Sequence, residues 1–315
     1  MTRRYAILGT IVLAGALSMA LAQAPSVIDI KVEKVRDNLY LITGGRQMPT
    51  EGSIAGNTTV FVADSGVVLI DTKYPGYGKA ILDRVKSITS KPVTTIINTH
   101  THGDHTGSNA EFPKTVTFVA HENTKANMAR MDAFKGANAA FLPSKTYRDR
   151  MSLLGGKDRI DLYYFGRGHT DGDTVILFPA LRVLVLGDLF ARKWAPLVDA
   201  MYGGSAVEFP KTLDKVLANI KDVDTVVTGH ATTTHGAGAN MTFTRSNPLM
   251  KWSDLQEFDE FMHAFVAAAE TQMKAGKSVD EAVKSLGLPA KFKDYDMAQA
   301  KAGVQRVYDE LKERR

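Results

Sequence analysis

The sequence predicts an α/β fold, a four-layer αβ/βα sandwich of two mixed β-sheets with outer helices, plus a C-terminal helical extension. Three observations predict it. Apolar runs such as Thr95-Ile96-Ile97-Asn98 and Val183-Leu184-Val185-Leu186 have no polar face, as in strands covered on both sides. Helical patterns alternate with the strands in both halves of the chain, which places helices on the outer faces. After about residue 249 the strand pattern gives way to helical spacing.

The elements follow in order. Residues 28–33 alternate apolar and polar side chains, a half-buried strand. Runs 58–63 and 67–71 flank Asp64-Ser65-Gly66 and read as a hairpin. The Gly-, Pro- and polar-rich stretch between Gly44 and Asn57 is a loop. Over 77–89, Ile81, Leu82, Val85 and Ile88 share a helical face, and 93–98 is the buried strand that completes a strand, helix, strand unit. A strand at 116–120 and a helix at 121–131 come next, then an irregular or helical excursion over 139–157. Strands are predicted at 160–165, 174–178, 183–187 and 225–228, with a helix over 209–220 before the last.

In the extension, Ser253, Ser278 and Asp296 read as three helix starts, the first two with capping-box spacing. Trp252, Leu255, Phe258, Met262, Phe265 and Ala269 fall at helical intervals, as do Met297, Val304, Tyr308 and Leu311. The chain therefore divides into an N-terminal signal over 1–22, a catalytic domain over 23–248 and the helical extension over 249–315.

The signal is read from Arg3 and Arg4, an uncharged apolar run over 5–22, and the small-residue ending Ala20-Leu21-Ala22. It implies a periplasmic or secreted protein cut after Ala22, with no stable membrane association afterwards. An uncleaved anchor is the alternative, because the run approaches a membrane span in length. Cleavage removes two arginines and no acid, lowering the formal net charge from +5 to +3. With basic and acidic residues interleaved, that charge gives no footprint for nucleic acid. The chain has no cysteine, which excludes thiolate nucleophiles and thiolate metal ligands.

Chemistry concentrates in His100-Thr101-His102-Gly103-Asp104-His105, at the C-terminal end of an apolar strand. Alternate side chains of an extended chain share a face, so His100 and His102 can reach one ion while the turn through Gly103 carries Asp104 and His105 toward a second. Two ions need more ligands than one segment offers. His169 stands in a Gly-rich turn after a strand, and Asp188 and His230 end two further strands. Alone, each is most simply a hydrogen-bonded turn residue; three at three strand ends can converge on one sheet edge. Asp71, ending Val67-Val68-Leu69-Ile70, is read as a carboxylate that orients a ligand histidine through its free N–H. Met48, Arg192, Trp194 and Tyr202 lie in loops beside these residues and are candidates for the substrate pocket. His121 and His263 are read as structural, and His235 is left undecided.

This order of residues resembles the metallo-β-lactamase superfamily: an Asp after an early strand, His-x-His-x-Asp-His, then His, Asp and His at later strand ends. The resemblance covers about residues 28–240. It implies two zinc ions, the first on His100, His102 and His169, the second on Asp104, His105 and His230, with Asp188 bridging. Iron and manganese are the alternative metals. A hydroxide shared by the ions would attack an electrophilic centre, with Asp104 orienting it and relaying a proton. His102 stands where the di-iron flavoprotein branch has Glu, which favours zinc. Asp188 stands where two subclasses of dedicated β-lactamases use Cys and the third Ser, and so resembles the glyoxalase II, lactonase and esterase-like branches.

The reading is an exported binuclear zinc hydrolase of small esters, lactones or amides, including β-lactams. Its alternatives are a glyoxalase II-like thioesterase, disfavoured by export, and a mononuclear iron persulfide dioxygenase. A nuclease lacks the electrostatic footprint and an insertion between His169 and His230. A non-enzymatic metal-binding protein ranks last. The partner is a small-molecule substrate; oligomeric state is not readable from the sequence.

Overall fold

The computed structural model describes residues 30–45, 54–235 and 242–314. The signal segment and Met48 lie outside the described residues.

The first sheet has seven strands in chain order: β1 (Lys31–Arg36), β2 (Leu39–Thr43), β3 (Thr58–Ala63), β4 (Gly66–Ile70), β5 (Val93–Ile97), β6 (Thr117–His121) and β7 (Lys145–Tyr147). β1 to β4 form an antiparallel meander. From β4 to β7 the pairing is parallel, with α1 (Gly78–Ile88) crossing between β4 and β5. The expected hairpin and crossover are thus both present. Two more helices follow in this half, the single turn α2 (Gly103–Thr106) and α3 (Glu122–Arg130). His121 caps α3, its Nδ1 accepting the Asn123 N–H at 3.2 Å while its Nε2–H donates to the Arg148 carbonyl at 2.8 Å.

The second sheet contains β8 (Arg150–Leu153), β9 (Ile160–Tyr163), β10 (Val175–Phe178), β11 (Val183–Val185), β12 (Thr225–Val227) and β15 (Leu249–Met250), ordered β15-β12-β11-β10-β9-β8. Only β11 and β12 pair in parallel, with α4 (Phe209–Asn219) in their connection. β13 (Thr232–His235) and β14 (Thr242–Arg245) form a separate hairpin. The side chains of that hairpin, His235 included, lie outside the described set.

The excursion expected over 139–157 contains β7 and β8, one at the edge of each sheet. Edge strands bury little, and β8 alternates exposed Arg150 and Ser152 with half-buried Met151 and Leu153. No apolar run marked them.

Between the sheets, Leu39, Leu41, Phe61, Ile70 and Ile97 pack against Ile160, Leu162, Ile176, Phe178 and Val227. Phe61 and Phe178 meet across the gap with ring centroids 5.0 Å apart. Ile81 and Val85 of α1 cover the outer face of the first sheet. Over the second sheet lie α4 and the extension: α5 (Trp252–Lys274), α6 (Val279–Lys284) and α7 (Ala300–Glu313).

Two expected helix starts differ. Ser278 and Glu281 form the capping box as read. α5 begins one residue before Ser253, with the Asp254 carboxylate accepting the Lys251 N–H at 2.9 Å. Asp296 precedes α7 by four residues and caps only its own turn, accepting the Ala298 N–H at 2.9 Å. A short acceptor side chain satisfies a turn and a helix equally well, so spacing alone does not separate them.

Candidate metal centre

Parallel strands end on the same side, and the functional residues follow those ends. Asp71 succeeds β4, the His100 to His105 run succeeds β5, Asp188 succeeds β11 and His230 succeeds β12. His169 enters from the loop between β9 and β10. All seven predicted ligands fall into three overlapping groups: His100, His102 and His169; His100, His105 and Asp188; and Asp104, His105 and His230. Within each group the ligand atoms lie within 4.8 Å of one another.

Hydrogen bonds decide which nitrogen each imidazole presents. The Asp71 carboxylate accepts the His105 Nδ1–H at 2.7 Å, leaving Nε2 free, which is the orienting role expected of it. The same carboxylate accepts the Thr99 hydroxyl at 2.7 Å and the Thr99 N–H at 2.8 Å. With its proton committed there, Thr99 Oγ1 accepts the His100 Nδ1–H at 3.0 Å. His102 donates Nε2–H to Asp199 Oδ2 at 2.8 Å and presents Nδ1. His169 donates Nδ1–H to the Leu197 carbonyl at 2.8 Å and presents Nε2.

The three nitrogens left over face one another. His102 Nδ1 lies 3.2 Å from His100 Nε2 and 2.9 Å from His169 Nε2. Burial holds the pKa of His100 well below the ordinary value and that of His169 at about 4, so both rings are neutral. Their convergence calls for a cation among them, a metal ion or a proton on His102, whose pKa, against burial, is raised by the Asp199 hydrogen bond and the nearby Asp104 and Asp188 charges. Asp188 adds a second sign of the same kind: its Oδ1 is buried without a hydrogen-bond partner. That oxygen is 3.4 Å from His105 Nε2 and 3.2 Å from His230 Nε2, while Oδ2 is 3.7 Å from His169 Nε2. The carboxylate therefore stands between the two histidine groups. Asp104 Oδ2 lies 3.4 Å from both His105 Nε2 and His230 Nε2. The donor set of imidazoles and carboxylates, without thiolates, fits zinc, iron or manganese.

Backbone approaches this cluster closely. A Cβ on Gly56 would lie 2.3 Å from the His105 ring, and one on Gly229 would lie 2.0 Å from Asp188 Oδ1. Only glycine fits at either position. Gly56 is held by its N–H to the Asp104 carbonyl at 3.0 Å and by Lys73, whose ammonium donates to the Gly56 and Ile42 carbonyls at 2.7 and 3.0 Å. Lys73 is fully buried, and burial lowers its pKa to about 7.

A cavity of about 240 Å³ opens over the cluster, lined by His102, Asp104, Asp188 and His230 below and by Ile54, Tyr74, Arg192, Trp194 and Leu197 around. The extension completes the wall with Asp296, Ala298 and Gln299. Arg192 stacks on Trp194 at 3.5 Å and reaches to 3.9 Å from Asp296 Oδ2. Tyr202 lies elsewhere, edge-on to the His102 ring at 5.6 Å. Sequence reasoning missed Asp199, Lys73 and the wall from the extension. Asp199 lies 97 residues from His102 and carries no spacing signal.

Imidazoles and carboxylates gathered at the common edge of two packed sheets define a metallo-hydrolase type of centre. Residues 52–230, more than half of the chain, match the model of the metallo-beta-lactamase superfamily, and the chain belongs to that superfamily. It is a metal-dependent hydrolase by that membership. The chain is similar to a type 2 metallo-beta-lactamase of Elizabethkingia meningoseptica, with 28% identity over 205 residues, 64% of this chain and 79% of the relative. It is 32% identical over 162 residues to the alpha subunit of 2,4-dinitroanisole O-demethylase from Nocardioides sp. (strain JS1661), covering 50% of this chain and 45% of that protein. Among solved structures, a metallo-beta-lactamase from Pontibacter korlensis superposes with a TM-score of 0.59 at 20% identity, over 75% of this chain and 99% of that one. A double mutant of the sec-alkyl sulfatase PisA1 gives 0.67 at 15% identity, over 90% of this chain and 50% of the other. At these identities the structures share the fold.

Proposed function

We propose that the protein is an exported binuclear zinc hydrolase of small ester, lactone or amide substrates, with β-lactams within its range. The observation that carries this reading is the set of converging lone pairs of His100, His102 and His169 beside the orphaned Asp188 Oδ1. His100, His102 and His169 would hold one ion and Asp104, His105 and His230 the other, with Asp188 between them. Bound there, zinc would supply Lewis acidity and a water acidified toward neutral pH.

The chain's own residues provide the rest. Asp71, Thr99, Asp199 and the Leu197 carbonyl fix the rings, so nothing needs to reorganise as charge develops. Asp104, at the cavity floor, is placed to accept a proton from the attacking water and return it to the leaving group. Trp194, Ile54 and Leu197 give apolar walls, and Arg192 with Asp296 gives one cation and one anion for orienting a small polar substrate. Asp188 in place of the Cys or Ser of dedicated β-lactamases supports a broader ester and lactone range. Export, with a cut after Ala22, belongs to the same reading; the mass of the mature N-terminus checks it.

The test is metal analysis joined to a panel of lactone, ester, β-lactam, thioester and aryl methyl ether substrates, the last because one relative is named an O-demethylase. About two zinc ions per chain and hydrolysis of an ester or lactone are expected, with turnover abolished by His102→Ala at unchanged fold. Activity in a metal-free preparation overturns the reading. One iron and no zinc replaces it with the persulfide dioxygenase.

A further inference from the structure

A third group of ligand-type side chains lies between α4 and α5. Asp259 and His263 stand four residues apart, so both project from one face of α5. Asp214 comes from α4, which packs beside it. His263 Nε2 lies 3.1 Å from Asp214 Oδ1 and 3.8 Å from Asp259 Oδ1, and one ligand atom from each of the three residues lies within 4.8 Å of the other two.

Asp259 makes this more than a surface ion pair. The residue is 8% exposed, and its Oδ1, the atom turned toward His263, is buried with no hydrogen-bond partner. A carboxylate oxygen out of water without a donor is unfavourable, and every such atom in a native structure asks for a ligand or a proton. The surroundings add negative charge: burial first, then Asp214 and Glu260, push the Asp259 carboxyl up to about 6, against the opposing pull of His263. Ordinary packing would place an apolar residue here, since α5 lines this side with Leu255, Phe258, Met262 and Phe265.

We infer that Asp214, Asp259 and His263 form an additional metal site, which takes a divalent transition ion of the zinc type. Ligands on a tetrahedral ion with bonds of about 2.0–2.1 Å stand roughly 3.3 Å apart, and the observed 3.1 and 3.8 Å bracket that spacing. Two carboxylates cancel the 2+ charge, and the imidazole selects zinc, cobalt or nickel over magnesium or calcium. The half-exposed side chains of Asp214 and His263 leave water access for the remaining coordination position. An ion there ties α5, the first helix of the extension, to α4 beneath it. The extension also walls the catalytic cavity, so this tie would act on the cavity at a distance, through the helix packing.

The experiment uses the whole chain, stripped with a chelator and dialysed against graded free zinc. Wild type, His263→Ala and Asp259→Asn are compared for bound zinc and for melting temperature. Wild type is expected to hold one equivalent more than either variant, and its zinc-dependent rise in melting temperature should shrink in both. His263 should be protected by zinc from diethyl pyrocarbonate, read on its own peptide by mass spectrometry. Magnesium should give no protection. Equal zinc counts in all three proteins, or a His263 that zinc leaves reactive, overturn the inference. So does a difference that appears only near ~1 mM free zinc, which marks weak surface binding. The catalytic cluster is counted separately, because its ions remain in both variants; loss of the proposed hydrolase reading leaves the one-equivalent difference intact.

Discussion

Four imidazoles of the cluster, those of His100, His102, His105 and His169, have one nitrogen committed to a protein acceptor and one left for metal, and the strength of that commitment is measurable. Asp199→Ala removes the acceptor of His102 Nε2–H. Zinc affinity is expected to fall by about 10- to 100-fold, read by chelator competition, while the melting temperature of stripped protein stays close to that of wild type. Gly229→Ala is predicted to be more severe, because its Cβ would fall 2.0 Å from Asp188 Oδ1 with backbone of Gly187 also in the way. Zinc content below one equivalent and loss of turnover are the expected outcomes, read by metal analysis. That the seven candidate ligands and Asp71 gather at one place was legible in the sequence because strand ends convert linear order into position, and most of these residues follow an apolar run. Asp199 and Lys73 were not legible. One acts across 97 residues, and the other is a lysine that ordinary composition rules place at the surface, yet it is buried to satisfy two carbonyls.

At the scale of elements, α5 carries a titratable liability that pH exposes. The Asp259 carboxyl is raised to about 6 from an ordinary 3.8. A raised carboxyl binds its proton more tightly in the folded state, so its contribution is fully present below about 3.8 and is lost as pH rises through about 6. In chelated protein Asp259→Asn is therefore expected to match wild type near pH 4 and to exceed it by on the order of 1 kcal/mol at pH 7, discounted for partial solvent screening. Melting curves at the two pH values check this; a variant less stable than wild type at pH 7 counts against it. Elements with an apolar face were the ones the sequence revealed, as with the hairpin of β3 and β4 or the Ile81 and Val85 face of α1. β7 and β8 went unseen because an edge strand is held by backbone pairing that leaves little trace in side-chain pattern. Asp296 misled for the opposite reason: a good capping residue was present, and the helix began four residues later.

Across the molecule, the extension and the second sheet share one core. Leu184, Val226, Phe190 and Leu213 pack in the same cluster as Phe258, Phe261, Phe265, Val304 and Tyr308, and β15 joins the sheet just before α5 begins. A chain ending before Trp252 would expose that apolar face, and it is expected to aggregate or to melt far below the whole protein, read by soluble yield and calorimetry. Recovery of a soluble, two-zinc fragment would show that the sheet's outer face can stand uncovered. The general sandwich was legible because doubly buried strands and outer helices write distinct periods into the sequence. The share of the cavity wall contributed by the extension was not, since contacts between residues more than 100 positions apart have no local pattern.

The backbone joins that wall to the site through two bonds, Ala195 N–H to the Asp296 carbonyl at 2.8 Å and Asp296 N–H to the Lys193 carbonyl at 3.1 Å. Farther along, the buried Glu310 carboxylate accepts the Ala206 N–H at 2.7 Å, on the loop that follows Asp199 and Tyr202. In the order of synthesis these partners come last. All seven candidate metal ligands are made before the residues that shape the mouth above them exist, but the core that seats them is closed only by the extension. Some 66 residues of synthesis separate His230, the last candidate ligand, from Asp296 of the mouth wall, and both wait for the same closing helices, so the site and its mouth are completed together.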